Sequence, residues 1–420
     1  MSPVRRSWRS VPWWAVGVSL LVLITAAAPV DAVWDAATLA PVGEVRLDPS
    51  AAYLSIAPVS NVLDTLTLMT VGQHIAVFLW AVGLFILWRV LRARRRPMST
   101  RREAIAAVLF LVGVVLVYVV GALAPRPMAG ITASDGTVII VDFHSHTKYS
   151  HDGRPGWTED DVRDWHRGAG FDAAYITDHA TFEGAERGVA SNPGLAGEGT
   201  MILQGLELFY RGEHVNALSA GRRYRGLTTP DLRDMDDRAL ELASFLPQTA
   251  PLVIETVPGN LAKVPGPLPT APGVGAIEIV DGAPRGLAQT RRERARIVHI
   301  ADSLNIALVT GSDNHGWGRA APGWTLMRIP GWRGMGTDSL SRRIEDVLRV
   351  GRRDATRTVE RRIAGATNPF SLAFAAPLVA WRMFTTLGAD ERVLWLLWTW
   401  GLVILLRGLR SYRIRPSAAA

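Results

Sequence analysis

The sequence predicts an α/β domain with a parallel sheet, open or closed into a barrel, joined to about four transmembrane helices. Three observations predict it. Four apolar stretches approach the length of a bilayer crossing; short β-rich runs alternate with amphipathic helical runs from about residue 135; and histidines and carboxylates gather at the ends of those β-rich runs.

The apolar stretches are residues 11–30, 71–91, 104–124 and about 387–406, each near the twenty residues that cross roughly 30 Å of hydrocarbon. Arginine placement orients them, because basic residues flanking a span are retained on the cytoplasmic side. Arg5, Arg6 and Arg9 precede the first; Arg89, Arg92, Arg94, Arg95, Arg96, Arg101 and Arg102 lie in or beside the link between the second and third; Arg407, Arg410, Arg413 and Arg415 follow the last. With four spans all three clusters share one side, and residues 125 to about 365 lie on the other. The expectation is an integral protein of a bacterial inner or cell membrane, in contact with the lipid bilayer, with its large domain extracytoplasmic. The first span could instead be a signal peptide, given the small residues of "TAAAPVDA". The stretch "PFSLAFAAPLVAWRMFTTL" (369–387), interrupted by Pro377 and Arg382, reads as an interfacial helix.

Those fourteen arginines exceed the net charge of +8, so the rest of the chain is slightly acidic. The basic balance therefore reflects topology, and no nucleic acid is indicated. The chain has no cysteine, which excludes disulfides and thiolate metal ligands.

Within the large segment, strands are predicted at 137–143, 172–177, 201–209, 251–256, 276–280 and 306–311. Helices are predicted at 158–169, 229–246, 286–304 and 337–350, the last with Leu340, Ile344, Val347 and Leu348 on one face. Linkers are expected at "APRPMAG" (124–130) and in the arginine-rich stretch 352–365. The domains follow: an N-terminal membrane region over 1–130, a large α/β domain over 131–365, and a C-terminal region over 366–420.

Functional groups in parallel α/β folds collect at the C-terminal ends of strands. His144 and His146, in "VDFHSHTKYSHDG", follow the first strand and project to one face of an extended segment. His179 ends "YITDH", Glu207 ends "LQGLE", His214 begins "HVNALSA", and Asp313 and His315 sit in "TGSDNH". Taken singly these are turn, cap or salt-bridge residues. Five of the nine histidines near strand ends argue jointly for a metal site. Imidazole and carboxylate donors without thiolates suit zinc, manganese or iron, bridging carboxylates can hold two or more ions, and the chemistry would be hydrolytic. His74, at the start of a span, His299, inside a helix, and His166, read as a helix C-cap, stand outside the constellation.

The ordered set "DFHSHTKYSHDG", "YITDHAT", "GLELF", "HVNAL" and "GSDNH" resembles the motifs of the PHP (polymerase and histidinol phosphatase) superfamily, over about residues 138–320. The resemblance implies a distorted (β/α)7 barrel, a cluster of two or three metal ions and phosphoesterase activity on a phosphorylated substrate. It implies that His144 and His146 bind one ion with Glu207 and Asp313, that Glu207 bridges to a second ion served by His214, and that Asp152, His179 and His315 hold a third. Asp152 is preferred to His151 by its spacing. Val257, in "VIETVPGN", stands where members of the family commonly have a histidine, so that either Glu255 or Asn260 substitutes or the site holds two ions rather than three. That departure keeps open a catalytically silent PHP-like metal- or ligand-binding ectodomain, acting as sensor or scaffold, beside the phosphoesterase. Lys148, Arg154, Arg211 and Arg319 lie within a few residues of these positions and are candidate phosphate donors.

Overall fold

The computed structural model describes residues 11–95, 99–179, 181–210, 213–218, 252–258, 274–361 and 369–414. Its centre is one curled mixed sheet of ten strands: β1 (Val33–Asp35), β4 (Val138–Asp142), β5 (Ala173–Ile176), β6 (Met201–Tyr210), β7 (Glu213–Leu218), β8 (Leu252–Glu255), β9 (Val274–Asp281), β10 (Ala307–Gly311), β11 (Gly323–Arg328) and β12 (Thr356–Arg361). A two-stranded ribbon pairs β2 (Val45–Pro49) with β3 (Ala129–Ala133). The sheet order is β1-β12-β11-β4-β5-β6-β7-β8-β9-β10.

Pairing is parallel from β4 through β6 and from β8 through β10. It is antiparallel at β6–β7, β7–β8, β4–β11, β11–β12 and β12–β1. The wholly parallel barrel of the sequence reading is thus replaced, among the described residues, by a mixed sheet. The two-residue separation of β6 and β7 in the chain explains part of this, since only antiparallel strands join through so short a connection. Curling brings the last parallel strand back to the first: the Phe143 N–H donates to the Thr310 carbonyl (3.4 Å), and the Thr310 N–H donates to Thr325 Oγ1 (2.8 Å).

Strand alternation sorts the apolar residues into two layers. Ile139, Val141, Phe143, Tyr175, Leu203, Ile254 and Val309 line the concave face. The helix Thr337–Gly351 plugs that face with Leu340, Ile344 and Leu348, all fully buried, and Val347 packs beside them. Val138 and Ile140 point outward against Val162, Trp165 and Ala169 of the helix Glu159–Ala169. That helix starts in a Thr158/Asp161 capping box and ends at Gly170 with φ 83°, while Arg291–Leu304 starts in a Thr290/Glu293 box. The helix expected at 229–246 lies outside the described residues.

Among the described residues three helices are long and apolar enough to cross a membrane: Val71–Arg95, Thr100–Leu123 and Ala389–Ile414. The first expected span forms a helix of 14 residues, Trp13–Ala26, which rises only about 21 Å. It packs along the last long helix, whose Trp400 Nε1 donates to Ser19 Oγ (3.1 Å). Residues 369–387 form the short helices Pro369–Leu372 and Ala375–Thr385, packed against Val71–Arg95. The arginine-rich stretch expected as a linker contributes β12 as far as Arg361, and residues 33–35 of the N-terminal region add β1 to its edge.

A buried polar junction fixes the helices to the sheet. Asp64, on the helix Ala57–Thr67, pairs with Arg126 and, at 2.6 Å, with Arg361 of β12. Tyr53 donates to Asp64 (2.8 Å), and Asn61 donates to Tyr53 and to Glu391 of the last long helix.

One half-buried acid makes stability depend on pH. Asp172 precedes β5 and accepts the Ile140 N–H (2.9 Å); burial raises its pKa from an ordinary value near 4 to about 6. The fold therefore favours its protonated form, a contribution present below the unfolded pKa and lost as pH rises through about 6. Asp172→Asn keeps the acceptor and removes the charge. We expect it to melt higher than the parent at about pH 7.5, by an amount on the order of 1–3 kcal/mol, with the gap closing near pH 4. A gap unchanged between the two pH values would assign the gain to packing.

Candidate metal centre

The ends of β4, β5, β6 and β10 meet at one mouth of the curled sheet, and eight predicted donors meet there. They fall into three overlapping groups: His146, Asp152, His179 and His315; His144, His146 and Asp313; and His179, Glu207 and His214, the donor atoms of each group lying within 4.8 Å of one another. His146 and His179 each belong to two groups, and Glu207 contacts residues of all three. Glu207 Oε2 lies 3.1 Å from His144 Nε2, 3.1 Å from His146 Nε2 and 3.3 Å from His179 Nε2, and its Oε1 lies 2.7 Å from His214 Nδ1. Asp313 Oδ1 is 3.3 Å and 3.2 Å from the same two nitrogens of His144 and His146. Asp152 Oδ2 is 3.1 Å from His315 Nε2 and 3.4 Å from His179 Nε2.

Local structure accounts for each placement. Two residues apart beyond β4, His144 and His146 converge until their Nε2 atoms are 3.0 Å apart. Asp178 anchors the following turn by accepting from the Thr147 N–H and hydroxyl, both at 2.6 Å. Asp313 adopts φ 45°, a left-handed conformation that aspartate tolerates better than most, and its N–H donates to the His144 carbonyl (2.9 Å). Beneath that loop the Ser312 N–H donates to Asp142 Oδ1 (2.8 Å). Asp142 Oδ2 in turn lies 2.6 Å from His166 Nε2, while His166 Nδ1–H donates to the Val162 carbonyl. His166, read from the sequence as a helix cap, is instead a fully buried brace for the ligand loop.

The electrostatics are those of donors gathered without an intervening charge. Burial opposes charging His144 and His146, yet the carboxylates override it: Glu207, Glu278 and Asp313 raise His144 well above the usual histidine range, and hydrogen bonds to Asp313 and Glu207 raise His146 to about 10. Burial favours neutral Glu207, Asp313 and Asp152, and the facing imidazoles hold all three below the usual carboxylate range.

The donor set fits divalent cations. The nitrogen and oxygen atoms around His144 and His146 stand 3.0–3.3 Å apart, close to the roughly 3.3 Å edge of a tetrahedron whose ligands lie about 2.0 Å from zinc. Supporting contacts leave Nε2 lone pairs facing inward. His144 Nδ1 lies 3.0 Å from Glu278 Oε1, and His315 Nδ1–H donates to the Asp313 carbonyl (2.9 Å). Burial raises Glu278, and still more Asp281, above the carboxylate range; Asp313 adds to both shifts.

Sequence reasoning passed over Glu278, a charged residue alone in the apolar run "AIEIV". A lone carboxylate in an otherwise buried strand is a signal that could have found it. Val257 packs with Ile277, Ile279 and Ile297 in an apolar cluster, so its side chain fills the layer under Arg291–Leu304. Glu255, pushed up to about 7 by burial and by Glu213, joins none of the three donor groups; Asn260 and Arg211 lie outside the described residues. His151 is exposed and its ring lies against that of His179. His299 is exposed on its helix. Lys148 is exposed, with its ammonium over the Tyr149 ring. Arg154 stacks on Trp157 (4.8 Å) and Trp317 (5.9 Å), and its N–H donates to the His315 carbonyl. Arg319 is half-buried, its pKa lowered by burial and by neighbouring Arg126 and Arg154.

No protein-family model matches the chain, and no curated protein does. Solved structures do. PsfC from Pseudomonas syringae PB-5123 is similar at 18% identity and a TM-score of 0.35, over 58% of this chain and 96% of that one. A protein assigned as a metal-dependent phosphoesterase from Bifidobacterium adolescentis matches at 17% identity and 0.30, over 48% and 94%. A two-domain protein containing a predicted PHP-like metal-dependent phosphoesterase, from Bacteroides vulgatus, matches at 16% and 0.30, over 49% and 63%. These likenesses are partial, and the functional reading rests on the donor geometry.

Gly311, which ends β10, makes that geometry possible. A Cβ there would stand 2.5 Å from Glu278 Oε1 and 2.7 Å from His144 Cβ. Gly311→Ala should therefore displace the brace of His144 and weaken manganese or zinc binding about 10- to 100-fold, measured by chelator competition. An unchanged affinity would show that the Glu278 contact is dispensable.

Proposed function

We propose that this chain is a membrane-anchored, metal-dependent phosphoesterase of the PHP kind. The observation that carries the reading is the Glu207 carboxylate, which lies within 3.3 Å of four imidazoles at a mouth that also holds Asp152, Asp313 and His315. A carboxylate so placed is suited to bridge neighbouring cations. In this reading His144, His146, Asp152, His179, Glu207, His214, Asp313 and His315 hold two or three ions of zinc, manganese or iron.

When bound, the ions supply an acidified water and a clamp for the charge that develops on a phosphoester. The chain's own residues do the rest. Glu278 keeps the His144 ring oriented with Nε2 inward, and the Asp313 carbonyl does the same for His315. Arg154, held by two tryptophan rings beside His315, and Arg319 offer guanidinium donors for phosphate oxygens.

The long apolar helices support anchoring in a bilayer, and the arginines flanking them support an extracytoplasmic sheet domain.

Two experiments test this. The full chain in detergent, loaded with manganese or zinc, should hydrolyse simple phosphomono- or diesters. The double variant His144→Ala/His146→Ala should lose at least about 100-fold in kcat/KM, in keeping with the loss of a metal-acidified nucleophile. Inertness of the fully loaded parent on a broad phosphoester panel would favour a silent binding ectodomain. For orientation, Val350→Cys, on a residue 84% exposed on the sheet domain, should react with an impermeant thiol reagent in intact cells, and Arg94→Cys should be protected. The opposite pattern inverts the topology.

A further inference from the structure

A cavity of about 650 Å³ opens beside the donor cluster and runs out between the two central long helices. Asp152, Asp313 and His315 form its polar end. Its other walls come from Leu68, Met69 and Val71, at the entry to the helix Val71–Arg95, and from Tyr118, Gly121 and Ala122, in the last turns of Thr100–Leu123. Both helices contribute the ends nearest the sheet domain. Val71 is 55% exposed, and Trp317, on the rim of the polar end, is 52% exposed. An indole at such a position suits a membrane–water boundary.

The polar and apolar halves are joined by direct bonds. The Gly318 N–H donates to the Ala122 carbonyl (3.0 Å), so the loop that carries His315 is tied to the last turn of a long helix. Gly318 has φ 75° and packs so closely on Thr67 that a Cβ would stand 2.6 Å from its methyl group. Inside the cavity His74 Nδ1 lies 3.0 Å from the Tyr118 hydroxyl, linking the two long helices just below the metal centre. His74, left outside the constellation in the sequence reading, thus stands in the wall of this cavity.

A water-soluble phosphoester has no use for an apolar channel that leads toward hydrocarbon. We propose that the substrate is a membrane-borne amphiphile, a phosphate ester on a long alkyl chain. Its headgroup reaches the donor cluster from the bilayer surface, and its chain lies along Val71, Tyr118 and Ala122. The inference rests on the phosphoesterase reading and deepens it. The length of apolar wall matters energetically, because each methylene withdrawn from water strengthens binding while the headgroup contacts stay the same. A volume of 650 Å³ is within the range of built ligand sites.

The test uses the full chain in nanodiscs with two kinds of probe. A non-hydrolysable hexadecyl phosphonate carrying a diazirine on its chain should label residues near Val71 and in the last turns before Leu123, with or without manganese. Hexadecyl phosphate should be cleaved with a KM at least about tenfold below that of ethyl phosphate, the sign of chain burial. Val71→Asp, an exposed substitution the fold can bear, and Ala122→Leu, which fills the channel, should each reduce the labelling and bring the two KM values together. Labelling at these sites without cleavage of either ester would keep the lipid channel and overturn the hydrolase. Cleavage of both esters with equal KM, and labels scattered over the lipid-facing helices, would keep the hydrolase and overturn the channel.

Discussion

The buried carboxylate of Asp64 is the constraint on which the arrangement of sheet and helices depends. It is wholly inaccessible, and an isolated anion there would cost several kcal/mol. Arg126 and Arg361 both reach it, one from the end of the Thr100–Leu123 connection and one from the last strand of the sheet. Tyr53 and Asn61 extend the network to Glu391, so two carboxylates and two guanidiniums balance in a space that excludes water. Removing one partner would strand the others, a loss of roughly 3–5 kcal/mol for a buried pair. An apolar contact could hold the same surfaces together, but it would let them slide. A hydrogen-bonded ionic network holds one register, and the register decides where the cavity mouth meets the long helices.

The donor cluster is under the opposite kind of stress. At the junction, charges of opposite sign already satisfy one another. At the mouth of the sheet, nitrogen donors face one another at 3.0 Å and are tolerated only through the carboxylates among them. Imidazoles shifted upward and carboxylates shifted downward are two expressions of one fact, a space shaped for positive charge. Such a cluster is suited to a divalent cation, which the proposed function would place there. The braces around it, Glu278 under His144, Asp178 under Thr147 and the His166–Asp142–Ser312 chain under Asp313, are the part that stabilises the loops.

How much of this the sequence disclosed depends on the range of the interaction. His144 and His146 were legible because two residues of extended chain put them on one face, and six strands were legible because their β-rich runs are local. Strand direction was not: alternation of apolar residues looks the same in parallel and antiparallel strands, and the short β6–β7 connection signals a turn back only once 213–218 is recognised as a strand. Pairings such as Asp64 with Arg361, 297 residues apart, exist only in the folded chain. His166 was misread because the last turn of a helix is a common place for a capping histidine, and nothing nearby announces that Asp142 lies beneath it. The PHP-like motifs carried the ligand set into view, whereas Glu278, outside those motifs, needed the tertiary structure.

The topology can be argued from strand pairing as well as from arginines. Val33–Asp35 and Val45–Pro49 precede the two central long helices, yet they pair with Thr356–Arg361 and Ala129–Ala133, which follow them. Chain segments in one sheet lie on one side of a bilayer, so an even number of crossings must separate them. Two helices of bilayer length between Pro49 and Ala129 satisfy that parity. The last long helix then takes Arg407 and Arg410 to the side that holds Arg94 and Arg95. Parity asks nothing of Trp13–Ala26, whose 14 residues fall short of the hydrocarbon thickness. Arginine placement and strand pairing are independent lines of reasoning, one electrostatic and one steric: pairing requires the sheet segments to share one side, and only the arginines bear on which side that is.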